Sequence, residues 1–192
     1  IEVGKYEFIE TTASTDVVVE YKGCTETYQI SVLPEDLTGK LHFSSDSVQS
    51  APGGEFDVVI NLNNNPGIVA LSAFIEYNND LFEVVGVTDE KILNEFHSFE
   101  DFKPSVPLLW MDESAEENNV NEGKLVTVRF KVKEGSYDEA TYGMHTFTGV
   151  NGEAVNKDGE SIEIPDMVVK VRLNPKTVGD VSGDREVTSW DA

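Results

Sequence analysis

The chain has 192 residues, 39% of them hydrophobic, enough to build the full core of one ordinary domain with residues to spare. Its 36 acidic residues against 14 basic ones give a formal net charge of −22, a surface that repels nucleic-acid phosphates and anionic membranes. The same charge serves solubility first, and it also suits calcium affinity and the steering of a basic partner.

No stretch approaches the ~20 apolar residues of a bilayer span, so membrane insertion is not expected. The single cysteine, Cys24, excludes an intramolecular disulfide and a cysteine-rich zinc site. The chain starts at Ile1 with neither signal peptide nor initiator Met, and reads as a processed or excised piece of a longer protein.

In chain order, Val17-Val18-Val19-Glu20-Tyr21, a Lys22-Gly23 turn and Thr25 to Val32 predict a β-hairpin. Residues 1–37 resemble the last two strands of a bacterial Ig-like repeat, which often ends in a Tyr-x-Gly-x-Thr hairpin. About a third of such a domain is present, and an isolated hairpin is marginal in water. The segment is therefore expected either to dock on the main domain or to be partly disordered. Leu33 to Gly39, marked by Pro34 and Gly39, reads as a linker.

The main domain is expected over 41–173, opening at Leu41-His42-Phe43. Phe56, Val58, Ile60 and Leu62 alternate with Asp57, Val59 and Asn61, the period of a strand with one buried face. Asn63-Asn64-Asn65-Pro66-Gly67 then breaks the pattern with turn-forming residues. In the next strand Val69, Leu71, Ala73, Ile75 and Tyr77 share one face, and Ala70, Ser72, Phe74 and Glu76 the other. Leu81 to Val85 opens a third strand.

From Asp89 to Pro107 the pattern lapses into a long loop with Phe96, Phe99 and Phe102 and room for one helical turn. Pro107 to Asp112 is a further strand, and Glu113 to Glu122 an acidic, asparagine-rich loop. Over Leu125 to Lys133 the alternation turns Val126, Val128, Phe130 and Val132 inward and Leu125, Thr127, Arg129 and Lys131 outward. Gly143–Val150, a short Gly152–Asn156 piece and Ile162–Leu173 complete the set. The fold class is all-β: about nine strands in a sequential antiparallel β-sandwich of jelly-roll topology, plus the N-terminal hairpin.

Catalytic signatures are missing. The sequence holds no G-x-S-x-G, no P-loop and no dinucleotide fingerprint. His42, His97 and His145 are too far apart in sequence for a zinc spacing and read as ordinary sheet and loop residues. Carboxylates are so abundant that chance alone pairs some of them at glycosidase distance. Asp112-Glu113 beside Trp110 is the only arrangement suggestive of a sugar site, and it reads better as a strand end running into a solvated loop. The chain does not read as an enzyme.

NNNPGIVALSAFIEYNNDLFEVV, followed by LLWMDES and GKLVTVRFKVK, resembles a cohesin, the receptor module of cellulosome-type assemblies. The resemblance covers roughly Leu41 to Leu173. It implies a non-catalytic module that binds a dockerin-bearing protein on a flat sheet face including the strands Ile68–Tyr77 and Leu125–Lys133. The residues it nominates are Ala70, Ser72, Phe74 and Glu76 with Leu125, Thr127, Arg129 and Lys131. Phe74, an outward aromatic among small and polar neighbours, is the expected hot spot, unless a loop such as Phe96–Phe102 covers it. Trp110 or Met111 joins the patch from the next strand, the sequence leaving open which of them faces out.

After the linker Asn174-Pro175-Lys176-Thr177, Gly179 to Ala192 resembles the first calcium loop of a dockerin, so that 174–192 would be a linker and a truncated loop. The resemblance implies Ca²⁺ held by Asp180, Ser182, Asp184, the Glu186 carbonyl, Thr188 and Asp191, hard oxygens at alternating loop positions. Ser182 stands where Asn or Asp is usual, and Arg185 where Gly supplies a positive φ, so the site is expected to be weak. Cohesin and dockerin together imply an adaptor at a bacterial surface or in the extracellular space. Two alternatives keep the same fold: a carbohydrate-binding or adhesive sandwich with polysaccharide as ligand, and a passive spacer.

Overall fold

The structure, a computed structural model, describes residues 13–21, 24–32, 36–94, 105–135, 137 and 141–175. The Phe96–Phe102 insertion and the Asp180–Asp191 loop lie outside them. The chain divides into two compact units, Ile1–Thr38 and Gly39–Ala192.

In the first unit β1 (Ala13–Tyr21) and β2 (Cys24–Val32) pair antiparallel, in register from Ala13↔Val32 to Tyr21↔Cys24. The hairpin read from the sequence is present and its first strand starts four residues earlier, at Ala13 rather than Val17.

The second unit is a sandwich of β3 (His42–Ser44), β4 (Val48–Ser50), β5 (Glu55–Asn63), β6 (Ala70–Glu76), β7 (Phe82–Asp89), β8 (Ser105–Met111), β9 (Gly123–Val132), β10 (Gly143–Val155), β11 (Ser161–Ile164) and β12 (Met167–Leu173). One sheet runs β4-β12-β10-β6-β8 with β11 also on β10, and the other β3-β5-β9-β7. Most strands that neighbour one another in sequence thus lie in different sheets, as in a jelly roll, and there is no α-helix among the described residues. Two details depart from the sequence reading. β12 pairs with β4 in parallel, Val171↔Val48 to Leu173↔Ser50. The pieces expected at Gly143–Val150 and Gly152–Asn156 are one strand, β10, with a bulge between Val150 and Glu153.

That bulge depends on Gly152. A Cβ there would lie 2.9 Å from the Ile164 Cβ, closer than real Cβ atoms come, and 3.2 Å from the Phe43 ring, a tight contact. Only a glycine lets β10 pass this close to its neighbours.

The alternation of β5 and β6 is borne out. Val58, Ile60 and Leu62, and opposite them Leu71, Ala73 and Ile75, are buried to 2% exposure or less. An aromatic cluster fills the space between the sheets. Phe147 of β10 meets Phe130 of β9 at 5.0 Å and Phe82 of β7 at 5.1 Å, both edge-on, while Phe130 stacks on Phe56 at 5.6 Å. Tyr77, just past β6, closes on Phe130 at 5.1 Å. Aromatic pairs favour such edge-to-face and offset geometries because ring edges are positive and faces negative.

At one end of the sandwich the two asparagine-rich loops meet. Asn65 is buried, and its Nδ2 donates to the Asn119 and Asn121 carbonyls at 3.0 Å each. Its Oδ1 accepts from Gly67 N at 3.0 Å, and its own N–H donates to Glu122 Oε1 at 2.8 Å. One side chain thereby satisfies polar backbone groups of both loops.

Both features can be tested by stability. Phe147→Ala is expected to cost about 3–5 kcal/mol in urea unfolding, since it empties the centre of the aromatic cluster. Asn65→Ala should cost about 1–3 kcal/mol in the same assay, because it removes a buried amide that bonds part-buried carbonyls of the facing loop. A loss below about half a kcal/mol at either position would remove that side chain from its assigned role.

Candidate binding face

The outer surface of β6 is set by its inner one. With Leu71, Ala73 and Ile75 turned to the core, Ala70, Ser72, Phe74 and Glu76 point away from it, as the alternation predicts. β8 pairs with β6 in register, placing Met111 beside Ala70, Leu109 beside Ser72 and Pro107 beside Phe74. β10 flanks the other side, with Val155 beside Ala70 and Glu153 beside Ser72. Phe74 is 38% exposed, Leu109 38% and Met111 55%. An open groove of about 330 Å³ lies along this surface.

Trp110 is only 3% exposed and faces the core. It is Met111 that joins the outer patch, together with Leu109. The sugar-site arrangement loses its aromatic platform, and Asp112 is occupied locally: its Oδ1 accepts from Ser114 N and Ser114 Oγ at 2.9 Å each. These bonds hold the Asp112 carboxyl below its ordinary value.

Thr127, Arg129 and Lys131 also point outward, but from the opposite sheet. β6 belongs to the six-stranded sheet and β9 to the four-stranded one, so the core lies between the two sets and no flat partner touches both. The expected shared face of Ile68–Tyr77 and Leu125–Lys133 is therefore corrected. So is Leu125, which is fully buried. The pairing of β5 with β9 slips at this point: Ile60 faces Val126 and Asn61 faces Lys124, leaving Leu125 as the extra residue of a bulge. Leu125 and Val126 consequently both turn inward.

On that second face one ion pair is already made. Arg129 Nε donates to Asp57 Oδ1 at 2.7 Å and Arg129 Nη2 to Asp57 Oδ2 at 3.0 Å, a two-pronged pair across the strands. Lys131 lies in register between Glu55 and Glu83, and Thr127 Oγ1 donates to Glu90 Oε1 at 2.7 Å. The Arg129 hydrogen bonds pull the Asp57 carboxyl below its ordinary value, and Asp57 raises that of Arg129 in return.

Two histidines have structural roles. The His42 Nδ1 bonds the Lys40 carbonyl at 2.9 Å, and the His145 Nε2 bonds that of Thr141 at 2.7 Å while its ring packs edge-on to Phe82. Among the described residues no group of three or more His, Cys, Asp or Glu is arranged to hold a metal. The expected calcium ligands Asp180, Ser182, Asp184, Glu186, Thr188 and Asp191 lie outside the described residues.

Leu109, Val155 and Glu153 were not singled out from the sequence. β8 is apolar on both sides, so it offers no contrast between faces. Glu153 and Val155 face outward only because the Gly152 bulge resets the phase of β10.

A family model for the cohesin domain matches residues 41–171. No curated protein matches the chain. Among solved structures it resembles a type I cohesin from Pseudobacteroides cellulosolvens, with 18% identity, a TM-score of 0.57, and coverage of 72% of this chain and 94% of that one. A type I cohesin–dockerin complex from Clostridium thermocellum matches at 19% identity and a TM-score of 0.57, over 70% of this chain and 99% of that one. A non-cellulosomal cohesin from the archaeon Archaeoglobus fulgidus matches at 19% and 0.56, over 70% and 91%. At such identities the likeness is one of fold.

The Asp57–Arg129 pair has a testable pH signature. A carboxyl whose folded value is depressed adds stability that is present above its unfolded value of 3.8 and lost as the pH falls through the folded one. Both partners are largely solvent-exposed, so the effect is small and weakens in salt. Asp57→Asn should be less stable than the parent at neutral pH, with the difference fading below about pH 4. Thermal melts from neutral to acid pH would measure it; a difference that grows on acidification would contradict the assignment.

Proposed function

Since residues 41–171 place this chain in the cohesin family, whose modules are non-catalytic and bind other proteins, we propose that it is the receptor for a dockerin-bearing protein and uses the outer face of β10, β6 and β8. The observation that carries this choice of face is the gathering of Phe74, Leu109 and Met111 there, exposed side by side. Buried aromatic and aliphatic anchors in the middle of an interface supply most of its affinity. Among the described residues the opposite face holds the Asp57–Arg129 pair, and its one exposed large hydrophobic side chain is a single Val85. The Clostridium thermocellum relative, solved together with a dockerin, supports the reading by fold.

Assembly of an extracellular or surface-bound complex at a bacterial cell belongs to the same proposal. It draws on the sequence resemblances of residues 1–37 to an Ig-like repeat and of Gly179–Ala192 to a dockerin loop. In that arrangement calcium, if held, belongs to Asp180–Asp191 and not to the sandwich. The Archaeoglobus fulgidus relative is called non-cellulosomal, so the fold leaves the kind of complex open. A polysaccharide-binding role draws little support, because Phe74 is the only exposed aromatic side chain among the described residues of the sandwich.

Calorimetric titration of the full chain with a panel of dockerin modules, in calcium and in chelator, tests the proposal. One dockerin class should bind. Phe74→Ala should then weaken binding by about 2 kcal/mol or more, roughly thirty-fold, without loss of folding. Arg129→Ala, on the opposite sheet, should leave the affinity unchanged. A folded chain that binds no dockerin would sink the receptor reading, and an unaffected Phe74→Ala would move the interface elsewhere.

A further inference from the structure

The chain has three methionines, and the sandwich holds each in a different setting. Met167 is 8% exposed and belongs to the core. Met111 and Met144 are 55% and 53% exposed, both on the outer side of the six-stranded sheet. They stand at opposite ends of it. β10 pairs Met144 with Arg172 of β12, while its other end brings Val155 beside Ala70, the in-register neighbour of Met111.

A thioether sulfur is soft and polarisable and needs no ionisation to react, so access to it governs its oxidation. A chain of net charge −22 repels anionic oxidants and leaves neutral peroxides free to approach. With hydrogen peroxide, a sulfur lone pair attacks one oxygen and the S–O bond forms as the O–O bond breaks. The leaving hydroxide takes the proton of the transferred hydroxyl and departs as water. Sulfur loses two electrons and the peroxide gains them. Two thiols of a sulfoxide reductase reverse the step, giving thioether, water and a disulfide.

Once oxidised, the two exposed sites differ. Met144 stands in register with Arg172, a guanidinium able to donate to a sulfoxide oxygen. Around Met111 the groove is lined by Ala70, Leu109 and Val155, and none of these has a side-chain donor. The one hydroxyl in that lining, on Ser72, lies two residues further along β6, about 7 Å away. A partner covering Met111 sulfoxide would therefore bury a strong acceptor that this face leaves without a bond.

We infer that Met111 is a site of reversible oxidation by neutral peroxides, and that its sulfoxide weakens the hold of the receptor face on its partner. The consequence rests on the receptor reading; the site itself does not.

Dilute hydrogen peroxide on the full chain, followed by peptide mass spectrometry, tests the site. Met111 and Met144 should each gain one oxygen roughly ten-fold faster than Met167. A Met111 oxidised no faster than Met167 would overturn the inference. Calorimetry with the dockerin module that binds the untreated chain tests the consequence. Oxidation should lower the affinity about ten-fold or more, and sulfoxide reductase with its thiol should restore it.

The ratio of treated to untreated affinity is then measured in two variants. In Met144→Leu the loss should persist, and in Met111→Leu it should disappear, whatever the starting affinity of that variant. An unchanged affinity with Met111 fully oxidised, or the same loss in Met111→Leu, would also overturn the inference. The two readings fail separately. A dockerin that binds the oxidised chain as tightly as the untreated one leaves the receptor standing and removes the switch. If no dockerin binds the untreated chain, the receptor reading and the switch fall together, and the order of oxidation still decides the site.

Discussion

Phe147 enters the core from one sheet and is met by Phe130, Phe82 and Phe56 from the other, and this contact decides which side of every neighbouring strand faces out. Strand side chains alternate strictly, so fixing one ring inside a sheet fixes the phase of the whole strand until something interrupts it. With Phe147 inside, Met144 and Thr146 point outward on β10, and with Phe130 inside, Arg129 and Lys131 do so on β9. The outer surface is thus a consequence of the buried one. Phe74 is exposed because Ala73 and Ile75 are not.

Three interruptions then shape the surface. The Leu125 bulge in β9 draws two consecutive apolar residues into the core. At Val85 the pairing of β7 with β9 slips, leaving Val85 exposed while Val84 and Val87 keep packing against the core. The Gly152 bulge in β10 is the consequential one. It shifts the phase so that Glu153 and Val155, not Gly152 and Ala154, stand beside the small residues of β6. Each bulge interrupts the ladder locally. The bulge in β10 sets Glu153 and Val155 along the groove beside Ser72 and Ala70.

These interruptions also mark where the sequence stops being legible. β5 and β6 could be read because their inward positions are apolar without a break, and both turned out as expected. In β9 the same rule misplaced Leu125, since nothing in Lys124-Leu125-Val126 announces an extra residue. β8 could not be phased at all: in Val106-Pro107-Leu108-Leu109-Trp110-Met111 every residue is apolar, and only packing separates Trp110 from Met111. The larger failure was topological. In a jelly roll, strands adjacent in sequence go to different sheets, and pairings such as Phe56 with Phe130 span most of the domain. Local pattern carries no information on such contacts, so β6 and β9 were assigned one face when they form two.

The two outer faces show what that assignment obscured. On the four-stranded sheet, Arg129 grips Asp57, Lys131 stands between Glu55 and Glu83, and Thr127 bonds Glu90, so the polar groups largely answer one another. A face of that kind contributes modestly to stability and has little to gain from a partner, which would have to displace pairs already made. On the six-stranded sheet, the apolar side chains of Phe74, Leu109 and Met111 remain in water, and Glu76 and Glu153 have no ion pair among the described residues. Covering that surface removes apolar area from water and brings an opposite charge to each carboxylate without breaking an existing pair. Both faces belong to one stable sandwich, and they differ in what remains to be gained by contact. That difference, more than the presence of charge or of hydrophobic residues alone, is the ground on which β10, β6 and β8 are proposed as the receptor side.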